Sequence, residues 1–216
     1  MKESMRYDTN YYQLRDYVLK RMVEIVNRPK VYGGTVFFGD SLTELCDLDL
    51  FYPEINYKVN SGISGITSDM LLHFVDEGVL KYKPKRVVIM VGTNDLGDTI
   101  GASPRDIALN VKDLVEIIHY NLSDCKIYVC GCIPCIEKYH GYKVSKKGNR
   151  SNDMLKMVYR ELKNVMRYEY VRLIDVYPTL CNKKGEPREE LFVDGLHINN
   201  QGYELLTSFI KKEILE

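Results

Sequence analysis

Residues 37–43, Phe37-Phe38-Gly39-Asp40-Ser41-Leu42-Thr43, decide how this chain folds, because an apolar run breaks at a glycine and delivers a lone serine where a helix should begin. The run Gly33-Gly34-Thr35-Val36-Phe37-Phe38 reads as a short buried strand over 34–38, and Gly39 lets the backbone turn sharply at its end. A serine just past the carboxyl end of a strand in an open α/β sheet sits at the edge where such sheets bind ligands. A serine hydroxyl is a poor nucleophile alone, so a reactive Ser41 needs a histidine base, an acid to orient it and oxyanion donors. The competing reading is that Ser41 caps a helix, with Glu44 three residues on completing a capping box.

Outward from this stretch, apolar β-branched runs alternate with amphipathic ones. The expected strands are 34–38, 55–60, 86–91, 126–131 and 170–175, and the expected helices lie near 68–80, 104–121, 151–167 and 199–215. A leading helix over 10–27, marked by Leu14, Tyr17, Val18, Met22 and Val26, precedes the first strand within an N-terminal segment of residues 1–30. Ser103-Pro104 supplies a serine N-cap and a proline at the first helical position. The run 87–91 has no polar residue, as a strand covered on both faces requires. Strands joined by crossover helices predict an α/β fold, a three-layer αβα sandwich on a five-stranded parallel sheet. Ser41, the 61–66 turn, the 92–95 turn, the 132–150 loop and the 176–198 segment then share one sheet edge. With 216 residues and no repeat or linker, positions 1–216 read as a single domain.

Thirty basic and thirty acidic side chains cancel, which gives no electrostatic footprint for nucleic acid or an anionic membrane. No run approaches the roughly 20 apolar residues of a membrane span, and no signal peptide is evident, so a soluble cytoplasmic protein is expected. Its six cysteines, Cys46, Cys125, Cys130, Cys132, Cys135 and Cys181, are expected to be reduced. Cys132 and Cys135 form a C-x-x-C, but no second pair supplies four zinc ligands, and Pro134 suits a strand exit better than the helix start of a redox motif. Buried small hydrophobes are the favoured reading.

Three further segments carry chemistry. Asn60-Ser61-Gly62-Ile63-Ser64-Gly65-Ile66-Thr67 is a glycine-rich turn whose N–H groups can hold an anion, or whose glycines serve only the turn; it lacks the pattern of a P-loop. In Gly92-Thr93-Asn94-Asp95, Asn94 can donate to an oxyanion or simply organise a turn. In Val193-Asp194-Gly195-Leu196-His197, the three-residue spacing lets Asp194 lie beside the His197 imidazole. His73 and His119 fall in helical stretches and read as packing or surface residues. His140 lies in the 136–150 loop with Lys138, Lys143, Lys146, Lys147 and Arg150, a loop that can overhang the site and contact an anionic group but reads better as solvated. The second glycine of a G-x-S-x-G elbow is missing after Ser41, so an α/β-hydrolase fold is not supported.

Taken together, these segments resemble the SGNH hydrolases, also called the GDSL lipase/esterase family. Gly39-Asp40-Ser41-Leu42 is similar to the family's first block, the turn containing Gly65 to its second, Gly92-Thr93-Asn94-Asp95 to its third and Asp194-Gly195-Leu196-His197 to its last. The usual aspartate after the glycine of the second block is Ile66 here. The resemblance implies a flavodoxin-like sandwich with Ser41 as nucleophile, His197 as general base and acid, and Asp194 as orienting acid. It also implies an oxyanion hole from the Ser41 and Gly65 backbone N–H groups and the Asn94 amide, with no metal or organic cofactor. The expected activity is a serine esterase that cleaves short-chain carboxylic esters, such as acetyl esters of carbohydrates, through an acyl-enzyme. A lysophospholipase or thioesterase acting on longer chains, and a catalytically silent binding module, are the alternatives. The expected partner is a small-molecule ester, with no nucleic acid and no membrane span; the oligomeric state is left open.

Overall fold

Five short runs, four of them mostly apolar and β2 more polar, form parallel strands: β1 Thr35–Gly39, β2 Lys58–Gly62, β3 Arg86–Met90, β4 Lys126–Cys130 and β5 Val171–Ile174. The computed structural model describes residues 9–98, 102–146 and 148–215; residues 1–8 of the leading segment, the Leu14 side chain and Lys147 lie outside the described residues. The strand order is β2-β1-β3-β4-β5. Connections therefore leave in opposite directions from β1 and β3, which opens a crevice at their carboxyl ends. Register places Gly39 beside both Gly62 and Met90, so the segments after β1, β2 and β3 emerge side by side.

Side chains alternate across the sheet with the two-residue period of a strand. Val36, Phe38, Val87, Ile89, Ile127 and Val129 enter one core, while Phe37, Val88, Met90, Tyr128, Cys130 and Ile174 enter the other. The first core is covered by helices α1 Thr9–Val26, α2 Pro104–Asn121 and α3 Asn152–Val165, and the second chiefly by α4 Asn200–Ile214. These layers make the expected αβα sandwich. Ser103 caps α2 in a full capping box with Asp106, with Pro104 at its start.

Three expectations shift. The strand expected over 55–60 starts at Lys58 and runs on to Gly62, because Asn60, Ser61 and Gly62 pair with Phe37, Phe38 and Gly39. Its polar Asn60 survives there by donating its amide to the Thr43, Glu44 and Cys46 carbonyls. The helix expected over 68–80 is broken into Ser68–Leu72, Val75–Gly78 and a 3₁₀ turn, Leu80–Tyr82; the break brings Leu71, Phe74, Val75, Val79 and Tyr82 all into one core. In α1, Val18 and Ile25 are buried whereas Tyr17 and Val26 are exposed. The Tyr17 side of α1 is used for polar contact instead: Tyr17 donates to Glu44 and Arg21 to the Gly62 carbonyl.

Five cysteines are buried and Cys181 is half-buried, and all six are free thiols. Burial pushes Cys130 and Cys132 up to about 12 and Cys135 to about 11, which suits packing and opposes thiolate chemistry. Among the described residues no helix is long and apolar enough to cross a membrane.

Candidate active site

The turn after β1 is built so that Ser41 is not needed as a cap. Asp40 is the N-cap of the short helix α5, Ser41–Glu44, and its carboxylate accepts from Leu42 N–H at 3.0 Å. The capping-box reading of Ser41 and Glu44 is therefore overturned: Ser41 is the first helical residue, and Glu44 instead accepts from Ser64 N–H at 2.6 Å. Gly39 permits the turn because a Cβ there would fall 2.1 Å from the Met90 carbonyl. With capping assigned to Asp40, the Ser41 hydroxyl is free for another partner.

That partner is His197, whose Nε2 lies 3.0 Å from Ser41 Oγ. Its Nδ1 lies 2.7 Å from Asp194 Oδ2, while Asp194 Oδ1 accepts from the Leu196 and His197 N–H groups, each at 2.8 Å. Partial burial works to raise the Asp194 carboxyl, but the bonds from the His197 ring and from the two N–H groups outweigh it and hold Asp194 at about 2. An ionised Asp194 only accepts, so Nδ1 carries the ring proton and Nε2 is left to accept from the Ser41 hydroxyl. A hydroxyl, an imidazole and a carboxylate linked in that order are the parts of a base-activated nucleophile. Asn199 caps α4 directly after this turn, and Tyr203 OH donates to the Leu42 carbonyl, so the last helix braces the first turn.

The three expected oxyanion donors stand along the same edge. Among the described residues, neither Ser41 N–H nor Gly65 N–H has an acceptor. Gly65 sits at φ 76, a conformation that favours glycine. Asn94 is buried and donates one of its two amide hydrogens to the Ile66 carbonyl at 3.0 Å, which leaves the other available. Ile66, standing where the family has an aspartate, is fully buried in the core. Next to Asn94, Asp95 accepts from both the N–H and the hydroxyl of Ser68, tying the third block to the second. Burial raises Asp95 to about 6 against those bonds, and raises Asp40 to about 7 against its single Leu42 N–H bond.

The basic loop divides. Lys138, Lys143 and Lys146 are exposed as expected, but Arg150 is 5% exposed and donates to the Thr93 carbonyl at 3.1 Å. Its charge lies close enough to Asp40 to favour the carboxylate there. No pattern in the sequence separates this one buried cation from its solvated neighbours. His140, read as a loop residue, donates from Nε2 to the Asp194 carbonyl at 3.1 Å, and Ile136 N–H donates to the Gly195 carbonyl at 2.8 Å, so residues 136–140 grip the acid turn. His73 is exposed, and His119 stacks on Tyr170 at 3.6 Å between ring centres; neither joins the site.

Comparison with known proteins bears on the family and the fold. The family model described as GDSL-like Lipase/Acylhydrolase family matches residues 37–205. The chain is 26% identical over 174 residues to the platelet-activating factor acetylhydrolase IB subunit alpha1 of Bos taurus, covering 78% of this chain and 69% of that protein. It shares its fold with a GDSL-like lipase from Bacteroides thetaiotaomicron, with a TM-score of 0.76 at 20% identity, covering 94% of this chain and 98% of the other. An acetyl-xylooligosaccharide esterase from Geobacillus Stearmophilus superposes with a TM-score of 0.65 at 20% identity, covering 86% and 96% of the two chains. The chain belongs to the GDSL-like Lipase/Acylhydrolase family and is an ester-bond hydrolase.

Proposed function

We propose that this hydrolase is a serine esterase that removes short acyl groups, acetyl foremost, from small alcohols through an acyl-enzyme. The observation that carries the reading is the 3.0 Å approach of Ser41 Oγ to His197 Nε2, with Asp194 holding the far side of the ring at 2.7 Å. Ser41 Oγ attacks the ester carbonyl as His197 Nε2 takes the hydroxyl proton, and Asp194 keeps Nδ1–H in place and balances the imidazolium charge. The carbonyl oxygen, now negative, is met by Ser41 N–H, Gly65 N–H and the remaining amide hydrogen of Asn94. His197 returns the proton to the departing alcohol, and water repeats the sequence on the acyl-enzyme. No step calls for a metal or organic cofactor.

The names of the Bos taurus relative and the Geobacillus structure specify acetyl esters, which favours a short acyl group over the longer chains of a lysophospholipase or thioesterase. A series of 4-nitrophenyl esters from acetate to laurate tests the reading. kcat/KM is expected to be highest for acetate and to fall with chain length; a maximum at octanoate or beyond would replace it with the long-chain alternative, and no turnover of any member would leave the silent module.

A further inference from the structure

Tyr17 and Arg21 stand one helical turn apart on α1, outside the residues 37–205 that the family model matches, and both reach the Glu44 carboxylate at the end of α5. Tyr17 OH donates to Glu44 Oε1 at 2.8 Å, and Arg21 Nε lies 3.2 Å from the same oxygen. Glu44 Oε2 is left for Ser64 N–H at 2.6 Å. Arg21 Nε also donates to the Gly62 carbonyl at 3.0 Å, so α1 holds the second block on both sides of Ile63. These groups are not solvated rim residues, because the Arg21 and Glu44 side chains are only 14% and 11% exposed.

The turn they hold has one free donor. Gly62 N–H donates to Asn60 Oδ1, Ile63 N–H to the Gly39 carbonyl, Ser64 N–H to Glu44 and Ile66 N–H to the Ile63 carbonyl. Among the described residues, Gly65 N–H alone in this run has no acceptor. Its direction is therefore set by the bonds on either side, Ser64 to Glu44 and Ile66 to Ile63. An oxyanion donor is effective only when it already points to where charge develops. Glu44 also brings an opposing effect: a carboxylate bonded one residue from Gly65 repels the negative charge of an oxyanion, and more strongly in a half-buried site than in water. The Arg21 guanidinium offsets that charge and leaves the acceptor in place.

We propose that Glu44, held by Tyr17 and Arg21 of the leading helix, is a positioning residue for ester hydrolysis: it fixes Ser64 and so aims Gly65 N–H at the oxyanion. The inference rests on the esterase reading above and gives α1 a part in turnover. The test measures 4-nitrophenyl acetate hydrolysis and melting temperature in the full chain, with competent sites counted by fluorophosphonate labelling of Ser41. Glu44→Ala and Arg21→Met should each lose about tenfold in kcat per competent site with KM within about twofold, a part of the roughly 10²–10³ that deleting one oxyanion donor costs. Glu44→Gln keeps an acceptor for Ser64 N–H and has no charge to offset, so it should recover most of the Glu44→Ala loss. Adding Glu44→Gln to Arg21→Met should recover part of the Arg21→Met loss, and this pair decides the matter if Glu44→Ala does not fold. Val18 is buried in the core on the same helix and does not touch Glu44, so Val18→Ala should lower the melting temperature and leave kcat unchanged. Wild-type kcat in Arg21→Met, no recovery on introducing Glu44→Gln, or an equal kcat loss in Val18→Ala would each overturn the positioning role while the esterase stands. A wild type inactive on 4-nitrophenyl acetate would remove the esterase reading itself.

Discussion

Ser41 is available for reaction because its neighbour carries the structural work: Asp40 caps α5 through Leu42 N–H, and the serine hydroxyl is left to His197. Asn94 has two duties. One amide hydrogen holds the Ile66 carbonyl, and the other is proposed to meet the oxyanion. Asn94→Ala is therefore expected to lower kcat by about 10²–10³ with a smaller change in KM, because the donor matters most once charge develops on oxygen. It should also cost about 1 kcal/mol of stability for the lost bond to Ile66. Unchanged kcat with a lowered melting temperature would leave Asn94 as a turn residue only. His140, which the sequence offered as a bystander, touches the Asp194 carbonyl. His140→Ala should reduce kcat by about two- to tenfold, the effect of one exposed hydrogen bond, and His140→Gln, which retains a donor at similar reach, should restore most of it. Equal activity of wild type and both variants would remove His140 from the positioning of that turn. The proposed roles of Ser41, Asp194 and His197 were legible because Asp194 and His197 stand three residues apart and the blocks that hold all three resemble, in order, those of a known family; the His140 contact joins residues 54 positions apart, and nothing in a loop's composition announces it.

At the scale of elements, strand positions were readable from apolar runs, whereas their ends depended on tertiary partners. β2 extends to Gly62 only because Asn60 finds three carbonyls around α5, and the helix expected over 68–80 breaks to satisfy a core it cannot sense locally. Burial at the carboxyl edge also leaves a signature in pH. Burial raises Asp40 to about 7 and Asp95 to about 6, so the folded chain keeps protons that the unfolded chain releases above about pH 4. The stability they contribute is fully present below that unfolded value and is lost as pH rises through about 6 and 7. Asp194, held at about 2, acts in the opposite sense, and its contribution is lost only as pH falls from about 4 towards 2. The melting temperature is thus expected to decline between about pH 5 and 8. Asp40→Asn, which keeps an acceptor for Leu42 N–H, should flatten that decline. A melting temperature that rises over this interval, or an Asp40→Asn profile parallel to the wild type, would show that the two carboxyls are not held protonated by burial.

For the whole molecule, parallel topology brings residues far apart in sequence to one edge: Ser41 follows β1, Gly65 follows β2, Asn94 follows β3, and Asp194 with His197 lie between β5 and α4. Alternating strands and helices made that edge foreseeable, since every strand of such a sheet exits on the same side. The buried Arg150 was not foreseeable, because its burial comes from the way residues 148–150 lie against Leu96 and Gly97. The central claim is that Ser41 becomes covalently bound when His197 removes its proton. Peptide mass spectrometry of the protein after exposure to a fluorophosphonate tests it most directly. The account predicts a single phosphonylated site at Ser41, loss of ester hydrolysis in proportion to labelling, and no labelling of a folded Ser41→Ala variant, whose activity should fall by several orders of magnitude. Modification at another residue, or full ester hydrolysis by Ser41→Ala, would contradict it.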